Sequence, residues 1–383
     1  MNMKVMEGNR VDFDISMPLQ WEEGTEKSIL FHTLGLHQAL NIERQKFPNR
    51  LFISDYDGGH PFIEDYLGEL AHSSPLQLSD VTKYAGVDRD RSLRVKIAEF
   101  HSRYDDVSYS PEQIIPGGGS SSFLATICTW LALSGYKSVY YLPPLYYKLG
   151  YFFRRFGILP IPVSNHHAFQ PEFHLNLPQH PSVLVLSDPL WYGGRRVPIE
   201  VFETIREWQI NTGSLVFVDG TFQYMGWNSI GPEASSTLVM NQTLRLISPT
   251  KYLALHGYRC AYLLTSPEMR GELDELHINL HGDVSVSDRL FAHRVMDVML
   301  GTGNRELIKF AQDNCQRLID ENALGEMMEM EAGWFLFAEI RAPRQNFVAM
   351  GQEYFELNGY PNSVRINLLN SAGIQALIDS SRI

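Results

Sequence analysis

The sequence predicts an α/β protein in which a mostly parallel sheet is covered by helices. From about residue 114, short β-branched and apolar runs alternate with longer helical patterns. Several runs, such as 183–186 and 215–218, are apolar at every position. Strands buried on both faces are typical of parallel sheets. A chain of 383 residues, 44% of them hydrophobic, can also bury a large core without disulfides or metals.

The predicted elements follow one another along the chain. Residues 28–45 and 89–104 have the apolar spacing of helices, and the charges of the second segment are typical of a surface helix. The strands of the main sheet are predicted at residues 138–142, 158–163, 182–187, 214–219, 243–248 and 259–265. From residue 287 helical patterns dominate, followed by two strands of a smaller module at 334–340 and 364–369.

Charge and cysteine content exclude several classes of protein. The formal net charge is −12, and a uniformly acidic protein repels phosphate backbones, so we expect no nucleic-acid partner. The three cysteines, Cys128, Cys260 and Cys315, are odd in number and widely spaced, which favours a reducing, cytoplasmic setting. We expect neither a signal peptide nor a membrane partner, because residues 1–16 lack an apolar core and glycines interrupt the uncharged stretch 113–136.

Polar residues lie at or just beyond the ends of the predicted strands, where open α/β sheets bind ligands. Asp219 ends one strand, Lys251 follows the next, and Arg259 comes eight residues later. The run Gly-Gly-Gly-Ser-Ser-Ser at 117–122 precedes an uncharged helix, whose N–H groups and hydroxyls can hold an anion. An anion cradle, a carboxylate, a lysine and an arginine together suit a phosphorylated, positively polarised ring cofactor.

This set of motifs resembles the fold-type I pyridoxal-phosphate (PLP) enzymes, specifically the aspartate-aminotransferase-like class I and II group. The resemblance covers nearly the whole chain. Residues 248–259, Ser-Pro-Thr-Lys-Tyr-Leu-Ala-Leu-His-Gly-Tyr-Arg, resemble the family pattern Ser-x-Ser-Lys-x-x-x-x-x-Gly-x-Arg. The resemblance implies that Lys251 forms the internal Schiff base with PLP, while Ser248, Thr250 and Arg259 hold the phosphate.

Three further segments resemble parts of the family's cofactor site. The stretch that begins at Asp219 resembles Asp-x-x-Tyr, which implies that Asp219 pairs with the pyridinium nitrogen. Gly119, Ser120 and Ser121 resemble the turn that forms the phosphate cup. Tyr146, after Pro-Leu, resembles the aromatic residue that stacks on the cofactor ring.

Two segments imply contacts with a partner subunit and with the substrate. Tyr84 stands ten residues before Arg94, in a stretch that resembles the family's Tyr…Leu-Arg, so its phenol is expected to reach the phosphate of a partner subunit. Arg365 lies in Val-Arg-Ile-Asn, which resembles the family's terminal Arg-(Ile/Leu)-Ser. The resemblance implies that Arg365 binds the substrate α-carboxylate bidentately.

The sequence departs from the family pattern at two positions beside the expected cofactor. Trp191 stands where the family has the asparagine that donates a hydrogen bond to the ring O3′, and Phe222 replaces the usual tyrosine. Phenylalanine has no donor. The loss of both donors predicts an altered Schiff-base pKa or a substitute donor, either the indole N–H of Trp191 or the phenol of Tyr192.

The leading prediction is a PLP-dependent aminotransferase acting on an α-amino acid and a 2-oxo acid, with the freed Lys251 amine as general base. The alternatives are another PLP reaction, such as decarboxylation, elimination or an oxidase-type reaction in a biosynthetic pathway, and a non-catalytic PLP-fold binding protein. We expect a homodimer with a large PLP domain at 75–285 and a small domain from 1–74 and 286–383. His277 and His281 have metal-pair spacing, but we expect no metal.

Overall fold

A seven-stranded sheet forms the centre of the protein. The computed structural model describes residues 42, 44–54, 61–62, 90–105 and 107–382, so the helix predicted at 28–45 lies almost wholly outside the described residues. The strands are β1 (Leu51–Phe52), β2 (Ile114–Gly117), β3 (Ser138–Tyr141), β4 (Leu159–Pro162), β5 (Val183–Ser187), β6 (Leu215–Asp219), β7 (Thr243–Ile247), β8 (Ala261–Leu264), β9 (Leu324–Met327), β10 (Phe335–Ile340), β11 (Phe347–Val348) and β12 (Ser363–Asn367).

Helices connect many of these strands, and a last helix follows β12. From residue 90 onward the α-helices are α1 (Arg91–Tyr104), α2 (Ser120–Leu133), α3 (Tyr147–Arg155), α4 (Ile199–Thr212), α5 (Pro249–Tyr252), α6 (Pro267–His281), α7 (Val286–Leu300), α8 (Arg305–Asp320) and α9 (Ser371–Ser381). The surface helix predicted at 89–104 is confirmed as α1. Among the described residues, no helix is both long enough and apolar enough to cross a bilayer.

The strand order of the large sheet is β2-β8-β7-β6-β5-β3-β4. In this order, β7, β6, β5, β3 and β4 are each parallel to their neighbours among these five strands. Strand β8 is antiparallel to both of its neighbours, β2 and β7. The predicted mostly parallel α/β sheet is therefore confirmed. Strand β2 was not predicted, because its four residues include Pro116 and lack a long apolar run.

The middle strands are buried on both faces, as their apolar runs predict. All five residues of β5 and of β7 are buried. On one face Val185 belongs to the same apolar cluster as Ile127 of α2, and on the other Leu184 belongs to that of Phe202 of α4. Full burial of each such side chain contributes roughly 1.5–3 kcal/mol. Helices on both faces therefore hold the strands parallel, with their carboxyl ends at one edge.

A second, smaller sheet lies in the C-terminal part of the chain. Strands β12, β10 and β9 form an antiparallel sheet in that order, and β1 pairs in parallel with β11. Strand β9 was not predicted. Apolar residues of α8 and α9, such as Leu307 and Leu377, share a core cluster with this sheet. We retain the division into domains 75–285 and 1–74 plus 286–383 as a proposal.

A buried ion pair joins α1 to the sheet. Arg245 of β7 donates from Nη1 to Oδ2 of Asp105, just after α1, at 2.8 Å. Tyr224 Oη also donates to Asp105 Oδ2 (2.7 Å), and His101 Nδ1 lies 3.0 Å from the same oxygen. Burial by itself would raise the pKa of Asp105, but the Arg245 charge and the His101 hydrogen bond outweigh it and hold that pKa well below its usual range.

We predict that Asp105→Asn lowers the free energy of unfolding by about 3–5 kcal/mol, because it leaves the Arg245 guanidinium buried without its counter-charge. Urea unfolding followed by circular dichroism measures this loss. Asp297→Asn is the matched control: it breaks the half-exposed pair with Lys96 and should cost at most about 1 kcal/mol.

The pH dependence has a definite sign. A carboxylate with a depressed folded pKa stabilises the protein above its unfolded pKa of about 3.9, and this contribution is lost as the pH falls through the folded pKa. The stability difference between the wild type and Asp105→Asn should therefore be constant above about pH 5 and shrink in acid. Equal stabilities at neutral pH would contradict this role of the pair.

Candidate active site

A cavity of about 510 Å³ lies where the carboxyl ends of β6 and β7 meet the start of α2 and the strand β12. All residues predicted for the site, except Tyr84, line this one cavity. They are Gly119, Ser120, Ser121, Tyr146, Trp191, Asp219, Phe222, Ser248, Thr250, Lys251, Arg259 and Arg365. Tyr84 lies outside the described residues, so its role stays a prediction.

The first wall of the cavity is the N-terminus of α2. Gly119 precedes the helix with φ +106°, a conformation that L side chains rarely adopt. A Cβ at Gly119 would lie only 2.8 Å from Nη2 of Arg259, so a larger residue would strain the turn and would also displace the guanidinium. Ser120 and Ser121 open the 14-residue helix, where unpaired N–H groups and the helix dipole favour an anion.

The opposite side of this cradle is the segment that follows β7. Ser248 Oγ and Thr250 Oγ1 lie 3.2 Å apart, and both residues line the cavity. The Arg259 backbone is held by Asp288, whose Oδ1 accepts from Arg259 N at 2.8 Å. Two hydroxyls, a guanidinium and a helix N-terminus therefore surround one place, which is the donor set of a phosphate site.

Lys148 is a cation of this cradle that the sequence reasoning missed. Its Nζ donates to Ser121 Oγ at 2.7 Å, and the residue lines the cavity. Burial and the Arg259 charge lower the pKa of Lys148. Its position two residues after the predicted stacking residue Tyr146 was the one sequence feature that could have identified it. The direction of the Lys148 side chain, however, follows only from the fold.

Lys251 lies on the short helix α5 and reaches the middle of the cavity. Its Nζ is 5.5 Å from the centre of the Phe222 ring. Burial, followed by the charges of Arg365, Arg259 and Lys148, outweighs the opposing charge of Asp219 and lowers the pKa of Lys251 to about 7. A large fraction of its amine is therefore neutral near pH 7 and available as a nucleophile or base.

Asp219 ends β6 and is buried, with 5% of its surface exposed. Thr221 N donates to its Oδ1 at 3.3 Å. Burial outweighs the hydrogen bonds from Thr221 and the Lys251 charge, and raises the pKa of Asp219 to about 6. The carboxylate still ionises at neutral pH, and a cation placed against it would stabilise the charged form.

Aromatic residues form the remaining wall around the cavity. The rings of Tyr146 and Trp191 meet edge to face with their centres 5.4 Å apart. Trp191 is 6% exposed, and within the described part of the chain its Nε1 has no hydrogen-bond partner. Tyr192, the alternative donor, is fully buried outside this cavity and its phenol bonds Nδ1 of His167 at 2.8 Å. The geometry therefore favours Trp191 over Tyr192 as the donor.

Arg365 lies on β12 at the side of the cavity formed by the small sheet. Its guanidinium carbon is 3.7 Å from the centre of the Phe335 ring and 5.7 Å from that of Trp191. Only 2% of the residue is exposed. Stacking between aromatic faces fixes the guanidinium plane, which suits bidentate binding of a carboxylate.

The residues present fit PLP. The anion cradle suits its phosphate, Asp219 suits a protonated ring nitrogen, and Tyr146 offers a face to a flat ring. The buried Nε1 of Trp191 is an orphaned donor beside that place and suits an acceptor on the ligand. The other cavity residues, which were not predicted as site residues, are Tyr147, Thr221, His256 and Gly257. Gly257 is the glycine of the family pattern at 248–259, and the other three lie beside or within the motif segments without a predicted role.

His277, the first histidine of the pair at metal-like spacing, has a packing role in the structure. His277 is buried, and its ring stacks on Phe123 of α2 with centres 4.1 Å apart. Its Nδ1 lies 2.8 Å from Thr126 Oγ1. The imidazole therefore joins α6 to α2 behind the anion cradle.

Comparison with known proteins gives the same assignment. The family model for aminotransferase class I and II matches residues 53–380. An Escherichia coli protein described as a methionine aminotransferase superposes with a TM-score of 0.72 at 14% identity, covering 94% of this chain and 98% of the other. A probable N-succinyldiaminopimelate aminotransferase of Thermus thermophilus superposes with 0.73 at 15% identity, covering 93% and 98%. No curated protein matches significantly by sequence.

These structural similarities concern the fold, since the identities are low. An aspartate aminotransferase variant of Thermus thermophilus adds a TM-score of 0.69 at 16% identity over 94% of this chain and 99% of the other. The family model, by contrast, spans most of the sequence, including the segments that hold Asp219, Lys251 and Arg365. The chain therefore belongs to the class I and II aminotransferases, a family of PLP-dependent transferases.

Proposed function

We propose that this protein transfers the amino group of an α-amino acid to a 2-oxo acid, with PLP held in the cavity by a covalent link to Lys251. The observation that carries the proposal is the convergence of Lys251, Asp219, Arg365 and an anion cradle in one cavity of about 510 Å³. Each group matches one part of a PLP–amino acid pair: the aldehyde, the ring nitrogen, the substrate carboxylate and the phosphate.

The chain's own residues bind and orient the two molecules. Asp219 holds the proton of the ring nitrogen through an ion pair, and Tyr146 covers one face of the ring. The N-terminus of α2, with Ser248, Thr250 and Arg259, holds the phosphate. PLP, when bound in this way, supplies an electron sink for the negative charge that develops at the substrate Cα.

Once the substrate amine has displaced Lys251 from its link to the cofactor, the freed Lys251 amine moves the proton. Because its pKa is lowered to about 7, its amine can accept a proton from Cα and return it elsewhere at neutral pH. Arg365 fixes the substrate carboxylate, so the Cα–H bond is oriented toward the lysine. The aromatic residues Trp191 and Phe222 exclude water from this part of the cavity.

A second candidate is another PLP-dependent reaction at Cα, such as decarboxylation or elimination. The specific observation is that Phe222 lines the cavity without a donor, and that Trp191 occupies the family's asparagine position. A changed hydrogen bond to O3′ of the ring can alter which bond at Cα breaks and which atom is protonated afterwards. The products of the reaction distinguish the two candidates.

We also propose a cytoplasmic homodimer in which Tyr84 of each chain reaches the phosphate of the other. The family resemblance supports this assembly, and the free, buried Cys128, Cys260 and Cys315 are consistent with a reducing compartment. Light scattering coupled to size-exclusion chromatography measures the mass. A monomer that retains full activity would contradict the proposal.

A panel of amino acids incubated with a 2-oxo acid acceptor tests the reaction directly. We expect the amino group to reach the acceptor, giving a new amino acid that mass spectrometry identifies. Release of CO₂ or ammonia, with no aminated acceptor, would instead support the second candidate.

We predict that borohydride reduction of the PLP-saturated protein places the pyridoxyl mass on Lys251. The physical reason is that burial and the neighbouring cations lower the pKa of the Lys251 amine to about 7. Peptide mapping by mass spectrometry locates the label. Lys148 lines the same cavity and is the internal control, so a label found there in place of Lys251 would contradict the prediction.

We predict that Arg365→Ala weakens substrate binding by about 2–5 kcal/mol, the range for truncating one partner of a buried charge pair. PLP affinity should change little, because Arg365 faces the substrate side. Arg365→Lys should recover only part of the loss, since a single ammonium cannot bind bidentately. Arg341→Ala, at an exposed position, is the control. Unchanged substrate affinity in Arg365→Ala would remove Arg365 from this role.

We predict that Trp191→Phe shifts the pH midpoint of the absorbance of bound PLP, because the substitution removes the orphaned Nε1–H and keeps an aromatic ring. Trp130→Phe is the matched control: Trp130 Nε1 is also buried without a partner in the described residues, but Trp130 does not line the cavity. If both variants titrate like the wild type, Trp191 only fills space, and Trp191→Asn should then broaden the substrate range.

A further inference from the structure

The geometry around Lys148 points to a role beyond the motif residues. Lys148 lies in the first turn of α3, and its Nζ donates to Oγ of Ser121, in the first turn of α2. Twenty-seven positions separate the two residues along the chain. The ammonium group is therefore held beside the helix N-terminus that forms the anion cradle.

The cradle thus contains two cations, whereas the sequence motifs predicted only Arg259. Lys148 and Arg259 both line it, and in the described part of the chain their side chains donate to Ser121 Oγ and to the backbone oxygen of His256, not to a carboxylate. Their mutual repulsion and the partial burial of Lys148 are unfavourable, and both lower the pKa of Lys148. An anion between them would remove both costs. Two positive charges and a helix N-terminus match a dianion better than a monoanion.

We propose that Lys148 is a phosphate-binding residue of the cofactor site, which contacts the same phosphate as Arg259. This inference rests on the proposed binding of PLP. The hydroxyl of Ser121 orients the ammonium, and two of the three ammonium protons are left for the ligand and solvent. The phosphate dianion, rather than the ring, is the part of the cofactor that Lys148 recognises.

Binding measurements on the PLP-free protein test the proposal without any assay of activity. The ligands are PLP, pyridoxal, which lacks the phosphate, and inorganic phosphate as a competitor. Lys148→Met should weaken PLP binding roughly 10–100-fold, the equivalent of a lost charge-assisted hydrogen bond, and should leave pyridoxal binding unchanged. Inorganic phosphate should also compete less well for Lys148→Met than for the wild type.

Three further variants make the result specific. Lys148→Arg keeps the charge and should stay within a few-fold of the wild type. Lys148→Gln keeps a donor for Ser121 without the charge, so it carries the test if Lys148→Met fails to fold. Lys137→Met, at an exposed position, should bind PLP like the wild type.

The outcomes separate this inference from the proposed function. A wild type that binds no PLP overturns both. Normal PLP affinity in a folded Lys148→Met or Lys148→Gln overturns the role of Lys148 alone. Equal weakening of PLP and pyridoxal would also overturn it, because the effect would then concern the ring and not the phosphate.

Discussion

The parallel pairing of β5, β6 and β7 is the constraint on which the rest of this structure depends. Ser187 pairs with Asp219, and Asp219 pairs with Leu246, so three neighbouring strands end at the same level. Parallel strands bring their carboxyl ends to one edge, and the segments that follow must begin there. Asp219 and the segment that begins at Ser248 are neighbours because of this register, although about thirty residues separate them.

The charge distribution at this edge is opposite to that of the whole chain. The protein has a net charge of −12, whereas the cavity is lined by Lys148, Lys251, Arg259 and Arg365 with Asp219 as the carboxylate. Burial is the largest cause of the lowered Lys251 pKa, and the neighbouring cations add to it. A cationic cleft in an acidic protein concentrates anionic ligands at one place. The same charges that we propose to hold a phosphate and a carboxylate therefore also lower the pKa of the lysine amine.

The residue that follows Lys251 is tied into the buried polar network. Helix α5 has four residues and is too short to be stable by itself. Its last residue, Tyr252, bonds the phenol of Tyr262 at 3.0 Å, and Tyr262 lies 2.8 Å from Nε2 of His101. His101 in turn contacts Asp105, the partner of Arg245. A continuous set of side chains thus joins Tyr252, the residue after Lys251, to the ion pair between α1 and the sheet.

The sequence by itself determined the α/β fold and the motif residues of the cavity. Strands with apolar runs can be recognised from a few consecutive residues. The spacing between Lys251 and Arg259 can likewise be read from a single short segment. The tertiary structure decided the contacts between residues that are far apart in the sequence. It brought Lys148 within hydrogen-bond distance of Ser121 and formed the ion pair between Asp105 and Arg245. It also placed the indole of Trp191 at the cavity, while the phenol of Tyr192 bonds His167 outside it. Burial, orientation and distance across the fold set these contacts, and no local pattern of residues encodes them.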